Sequence, residues 1–132
     1  LESAGIPFDP ALIRAGKWYE SSGYALAHEL MSLPKPPDAL FCMSDSLAVG
    51  AMSALRERRL RVPDDISIVG FDNRAFAAHQ TPPLTTVLLP LVEMGRLAGE
   101  LLLQAIQTGQ QTGEIHRVPC QFIQRASTRL TA

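Results

Sequence analysis

Short apolar runs alternate with stretches of helical period along this chain, and that alternation leaves few folds open. The runs span residues 39–43, 66–69 and 85–89, with a short candidate strand at 12–15 and a last one at 115–124. The run at 39–43 is apolar from end to end, which predicts a strand covered on both faces. Between the runs, residues 22–33 read as a helix with Leu26, Leu30 and Leu33 on one face and Ser21 or Ser22 as its cap. Pro34, Pro36 and Pro37 then end it. From 47 to 59 a second helix gathers Leu47, Ala48, Ala51, Ala54 and Leu55 on one face. Val49 and Met52 lie off that face, so this helix needs cover from outside its own sheet. Residues 90–108 form the most periodic stretch, followed by a Gln-rich loop at 109–113. Pro119 favours an edge, a bulge or a crossing point for the last strand. The predicted fold class is α/β, a mostly parallel sheet flanked by helices.

Composition narrows the function classes. The chain has 132 residues, 46% hydrophobic and 19% charged, with a formal net charge of −1. That is one domain's worth of globular chain, not a disordered one. It lacks the basic excess of a general nucleic-acid clamp, and no apolar run approaches a membrane span. Cys42 and Cys120 each lie in an apolar run with no partner at ligand spacing, so both are expected as buried, reduced thiols. His28, His79 and His116 show no metal-ligand spacing either. Neither metal nor cofactor is therefore expected. The opening Leu1-Glu2-Ser3-Ala4-Gly5 reads as the tail of a helix with Gly5 as its stop, as though the chain begins mid-protein.

Ligands of open α/β sheets collect at the carboxyl ends of the strands. Three stretches are expected there: Gly16-Lys17-Trp18, Ser44-Asp45-Ser46 and Phe71-Asp72-Asn73. The flat face of Trp18 suits stacking on a sugar or base, or it plugs the core. Ser44 and Asp45 suit a helix cap, at a helix end that also suits polar ligand groups. Asp72 follows a buried strand directly, so its carboxylate needs partners. Either ligand hydroxyls and amines or the N–H groups of its own turn would supply them. An enzyme is not expected. Asp45 and Asp72 could hold Mg²⁺ as in a phosphoryl-transfer site, yet no glycine-rich phosphate loop accompanies them. No nucleophile elbow supports a serine triad with His79.

The order of these stretches resembles the C-terminal part of the LacI/GalR family of bacterial transcription regulators. The resemblance runs through Gly16-Lys17-Trp18-Tyr19, Phe41-Cys42-Met43-Ser44-Asp45-Ser46 and Ile66-Ser67-Ile68-Val69-Gly70-Phe71-Asp72-Asn73. It continues through Thr81-Pro82-Pro83-Leu84-Thr85 and Glu93-Met94-Gly95-Arg96. It implies a type I periplasmic-binding-protein-like fold, incomplete here. Residues 1–88 would be the C-terminal subdomain, 89–118 a segment of the N-terminal subdomain, and 119–132 the return strand and tail. Trp18 matches an aromatic position lining the effector cleft, Asp72 the carboxylate that bonds the effector, and Ser44 a ligand-reaching position that is commonly Asn. Leu89 and Leu91 fall where sugar-binding members place polar or aromatic contacts. Val49 matches a dimer-interface position.

The implied function is that of a cytoplasmic, homodimeric regulator. It would bind a sugar or related metabolite between subdomains and control operator DNA allosterically, through an N-terminal helix-turn-helix of which this sequence holds no trace. A periplasmic solute-binding protein of the same fold, or a Mg-dependent enzyme, are the alternatives.

Overall fold

The computed structural model of the chain describes residues 2–109 and 113–129, and its centre is a pair of parallel strands. β1 (Ala39–Phe41) lies beside β2 (Ser67–Val69) with Leu40 opposite Ile68. Both of those side chains are buried. Along its other edge β2 meets β3 (Thr86–Leu88): Val69 bridges Thr85 in parallel, and the N–H groups of Gly70 and Asp72 donate to Thr85 O at 2.8 Å and Val87 O at 2.9 Å. β4 (Gln121–Ile123) then pairs antiparallel with β3, Val87 opposite Phe122. The sheet is therefore parallel through β3 and turns antiparallel at its last strand.

Two helices cover one side of β1 and β2. α1 (Glu20–Leu30) buries Gly23, Ala27 and Leu30, and α2 (Asp45–Glu57) buries Ala48, Ala51, Met52, Ala54 and Leu55. The core they form with Leu40, Ile66, Ile68 and Leu84 includes four wholly buried large side chains: Leu55, Ile66, Ile68 and Leu84. Each stabilises the fold by about 1.5–3 kcal/mol. α1 packs on α2 at very short range. A Cβ at Gly50 would stand 1.9 Å from Glu20 O, and one at Gly23 would stand 2.1 Å from Leu47 O. The two helices thus cross backbone to backbone at their N-terminal turns.

The tail after β4 is stitched into this frame. Ser127, fully buried, donates through Oγ to Ile68 O at 2.6 Å and accepts from Thr85 N–H at 2.8 Å. Its own carbonyl accepts from Ile68 N–H at 2.8 Å. By contrast α3 (Leu91–Thr108), which closes on Gly109 at φ +69°, buries no residue at all. Val92 is 89% exposed, and Leu91, Leu102, Leu103 and Ile106 are exposed with it.

Several sequence expectations need correction. The candidate strand at 12–15 is absent: Pro10–Leu12 makes a 3-10 turn, capped by Asp9 accepting from Ala11 N–H at 2.9 Å. Arg14 also occupies the carbonyls of Ala11 and Ile13. α1 begins two residues before the expected 22 and ends at Leu30, and Tyr19 is its N-cap without a side-chain bond, in place of Ser21 or Ser22. β1 is covered on one face only, Ala39 and Phe41 being exposed. The last strand is confined to Gln121–Ile123, and Cys120 before it is exposed, where a buried thiol was expected. Cys42 is half-buried, and burial pushes its thiol up to about 12. Glu2–Ala4 forms one 3-10 turn before Gly5 at φ +70°. Residues 1 and 110–112 of the expected helix tail and loop lie outside the described residues.

Candidate functional site

The carboxyl ends of β1 and β2 are tied together before any ligand is considered. Cys42 N–H donates to Val69 O at 2.8 Å and Asp45 N–H to Phe71 O at 2.7 Å, joining the turn after β1 to the loop after β2. Ser44 is buried and caps α2, its Oγ accepting from Leu47 N–H at 3.2 Å. Its hydroxyl donates to no described residue.

Asp45 is a structural carboxylate. It is fully buried, with Oδ1 accepting from Thr86 Oγ1 at 2.6 Å and Oδ2 from Arg74 N–H at 2.6 Å. Burial without such bonds would cost several kcal/mol, on the order of 2–7 even for a neutral polar group. Gly70 makes the room, since a Cβ there would stand 2.3 Å from Asp45 Oδ1. Both Asp45 oxygens thus serve the fold, tying α2 to β3 and to the loop after β2. No group of three metal-ligating side chains occurs among the described residues.

Asp72 differs from Asp45 in every respect. It is half-buried, sits at φ +109°, and its carboxylate takes no hydrogen bond from any described residue. The N–H groups of its own turn are already used: Asn73 N–H donates to Thr86 Oγ1 at 3.3 Å and Arg74 N–H to Asp45. The sequence left a choice between ligand and own-turn partners, and the geometry removes the second. Partial burial, reinforced by the nearby Asp45 charge and opposed by Arg74, raises the Asp72 carboxyl above its ordinary range.

Exposed apolar and aromatic side chains lie near the same strand ends. Trp18 is 64% exposed and so does not plug this core. It precedes α1, whose first turn packs on the first turns of α2, and so stands at the Ser44 end of the sheet. No strand precedes it, contrary to expectation. Phe41 and Met43 at the exit of β1 are exposed as well, and Phe41 meets Phe71 edge to face with centroids 6.3 Å apart. Sequence reading missed Phe41 and Met43. An aromatic ending a strand at its carboxyl end is the signal that would have found the first. Leu89 is half-buried and Leu91 exposed, so neither adds a polar contact. Val49 is half-buried on α2, outside this surface.

A carboxylate with no partner among the described residues, and exposed aromatic rings at the carboxyl ends of parallel strands, suit the binding of a small molecule on an α/β fold. Residues 1–128 match the model of the periplasmic binding protein-like domain, and the chain belongs to that family. Its relatives are regulators of the LacI type, as the sequence resemblance implied. The HTH-type transcriptional repressor CytR of Escherichia coli K12 is 43% identical over 130 residues, covering 98% of this chain and 38% of the repressor. The transcriptional regulator LacI from Bacillus cereus superposes with a TM-score of 0.91 at 27% identity, covering 99% of this chain and 46% of that one. A LacI family regulator from Enterococcus faecium, solved with bound ribose, gives 0.72 at 33% identity, covering 85% and 41%. The chain thus spans less than half the length of these relatives.

Proposed function

We propose that this chain is the effector-sensing part of a bacterial transcriptional regulator. It binds a sugar or related metabolite at Trp18, Ser44 and Asp72 and controls operator binding allosterically. The observation that carries the proposal is the Asp72 carboxylate, half-buried and without a hydrogen-bond partner among the described residues, at the carboxyl end of β2. Hydroxyl or amine donors of a ligand would complete it, and the ring faces of Trp18 and Phe41 suit the apolar side of a cyclic metabolite. The ribose held by the Enterococcus faecium relative is a ligand of that kind.

Residues 1–88 act as the C-terminal subdomain, 89–118 as a segment of the N-terminal subdomain and 119–132 as the return strand and tail. The uncovered apolar residues of α3 support that division, because such a stripe is stable only under further chain. Val49 contributes to a homodimer interface, which would complete the cover of α2. Operator contact belongs to a DNA-binding domain outside these 132 residues, and the protein works where its DNA is, in the cytoplasm. It is not an enzyme.

An effector can shift the protein only by binding one subdomain arrangement better than the other. In the natural full-length protein, Asp72→Ala should therefore abolish the response of operator binding to effector while operator binding itself survives. An unchanged effector response in that variant would remove Asp72 from the site.

A further inference from the structure

Asp72 and Asn73 adopt consecutive positive φ angles, +109° and +51°. Asn tolerates the left-handed region, but Asp at +109° lies outside it, and such a backbone persists only where its surroundings over-determine it. Three of the restraints are local to the sheet. Asp72 N–H donates to Val87 O at 2.9 Å, Asn73 N–H to Thr86 Oγ1 at 3.3 Å and Arg74 N–H to Asp45 Oδ2 at 2.6 Å.

The fourth restraint comes from the returning chain. Arg125, two residues beyond β4, donates from Nη2 to Asn73 Oδ1 and from Nη1 to Leu84 O, both at 2.7 Å. Its guanidinium is half-buried and pairs with no carboxylate among the described residues, so its planar fork is given over to these two neutral oxygens. Arg125 is itself immobilised, because its N–H donates to Thr85 Oγ1 at 3.0 Å and Ser127 is locked between β2 and β3. A surface arginine would gain little from such an arrangement. Among the described residues it is the one side chain that hydrogen-bonds from the segment after β4 to the loop that carries Asp72.

We propose that Arg125 is the positioning residue of the Asp72 loop. Acting through Asn73, it fixes the backbone that carries the carboxylate, and it makes the place of that carboxylate depend on where the returning strand lies. The inference rests on the reading of Asp72 as a ligand group and adds the element that regulates it. Displacing β4 relative to β2 would loosen Asn73 and alter Asp72. By reciprocity, a ligand that holds Asp72 in place would hold the returning strand.

Amide hydrogen exchange on the ligand-free, natural full-length protein tests this. Arg125→Met and Asn73→Gly should each accelerate exchange at the amides of Asp72, Asn73 and Arg74 by about tenfold or more, leaving β1 as protected as before. The double variant should exchange no faster than the faster single one, because both break the same link. Asn73→Asp keeps the acceptor and should retain parental protection. In Asn73→Gly, which removes no charge, the Asp72 carboxyl followed by carbon NMR should titrate closer to its ordinary range.

Unchanged loop exchange, equal acceleration in β1, additive effects in the double variant, a fast Asn73→Asp variant or an unmoved Asp72 titration would each overturn the proposal. No ligand enters these measurements. Failure of Asp72 to bind an effector would leave the clamp standing, and an unclamped loop that still binds through Asp72 would refute the clamp alone.

Discussion

Replacing Gly50 by Ala tests the helix crossing on which the site is built. The new Cβ would stand 1.9 Å from the Glu20 carbonyl oxygen and 2.8 Å from the Tyr24 nitrogen. Both obstacles are backbone, so no rotamer relieves them. Real Cβ atoms essentially never approach closer than 3.0 Å, so α1 must withdraw by about 1.1 Å. Overpacking of a tight contact costs about 1–3 kcal/mol. The upper end, ~3 kcal/mol, applies because a whole helix moves and takes the packing of Ala27 and Leu30 with it. The better helix propensity of Ala offsets at most ~1 kcal/mol, leaving a net loss of about 2 kcal/mol. Urea unfolding followed by the emission of Trp18, the only Trp, should show a lower midpoint with an unchanged slope. The native emission should change too, because Trp18 lies just before α1. A gain of about 1 kcal/mol, as propensity alone dictates, would refute the crossing.

Three further outcomes are expected. Ser127→Ala should destabilise the protein by about 2–4 kcal/mol by urea unfolding, because it strands two buried backbone groups, Ile68 O and Thr85 N–H. A thiol reagent should label Cys120 promptly in the native protein and Cys42 only on unfolding, given exposure at the first and a thiol held at about 12 at the second. The Arg61 side chain and backbone N–H bond the Asp65 carboxylate and hold it down to about 2, against 3.8 for the free group. Its contribution to stability is therefore complete above pH 3.8 and fades as pH falls through 2, and carboxyl NMR should place its midpoint there.

What the sequence showed and what it hid divide along physical lines. α2 was legible because Ala48, Ala51, Ala54 and Leu55 share a face and Ser44 caps it; those signals are local, and the structure keeps them. The start of α1 was not, because its position is set by the close approaches of Gly23 to Leu47 and of Gly50 to Glu20, and the serines beside it cap nothing. The apolar character of residues 12–15 suggested a strand, but Asp9 and Pro10 start a turn just before it. Asp72 stood out in the sequence as a carboxylate after a buried strand. That its own turn cannot satisfy it was invisible, since this depends on Thr86 and Asp45, the latter far off in sequence. Arg125 carried no local signal at all: its partner Asn73 lies 52 residues away.

The most direct measurement is a thermal-shift screen of the natural full-length protein against sugars, sugar phosphates, nucleosides and purines, with Asp72→Ala alongside. A true effector at a hundred times its Kd should stabilise the parent by ~2.7 kcal/mol and leave the variant unmoved. A ligand that stabilises parent and variant alike would contradict the assignment of Asp72 to the effector site.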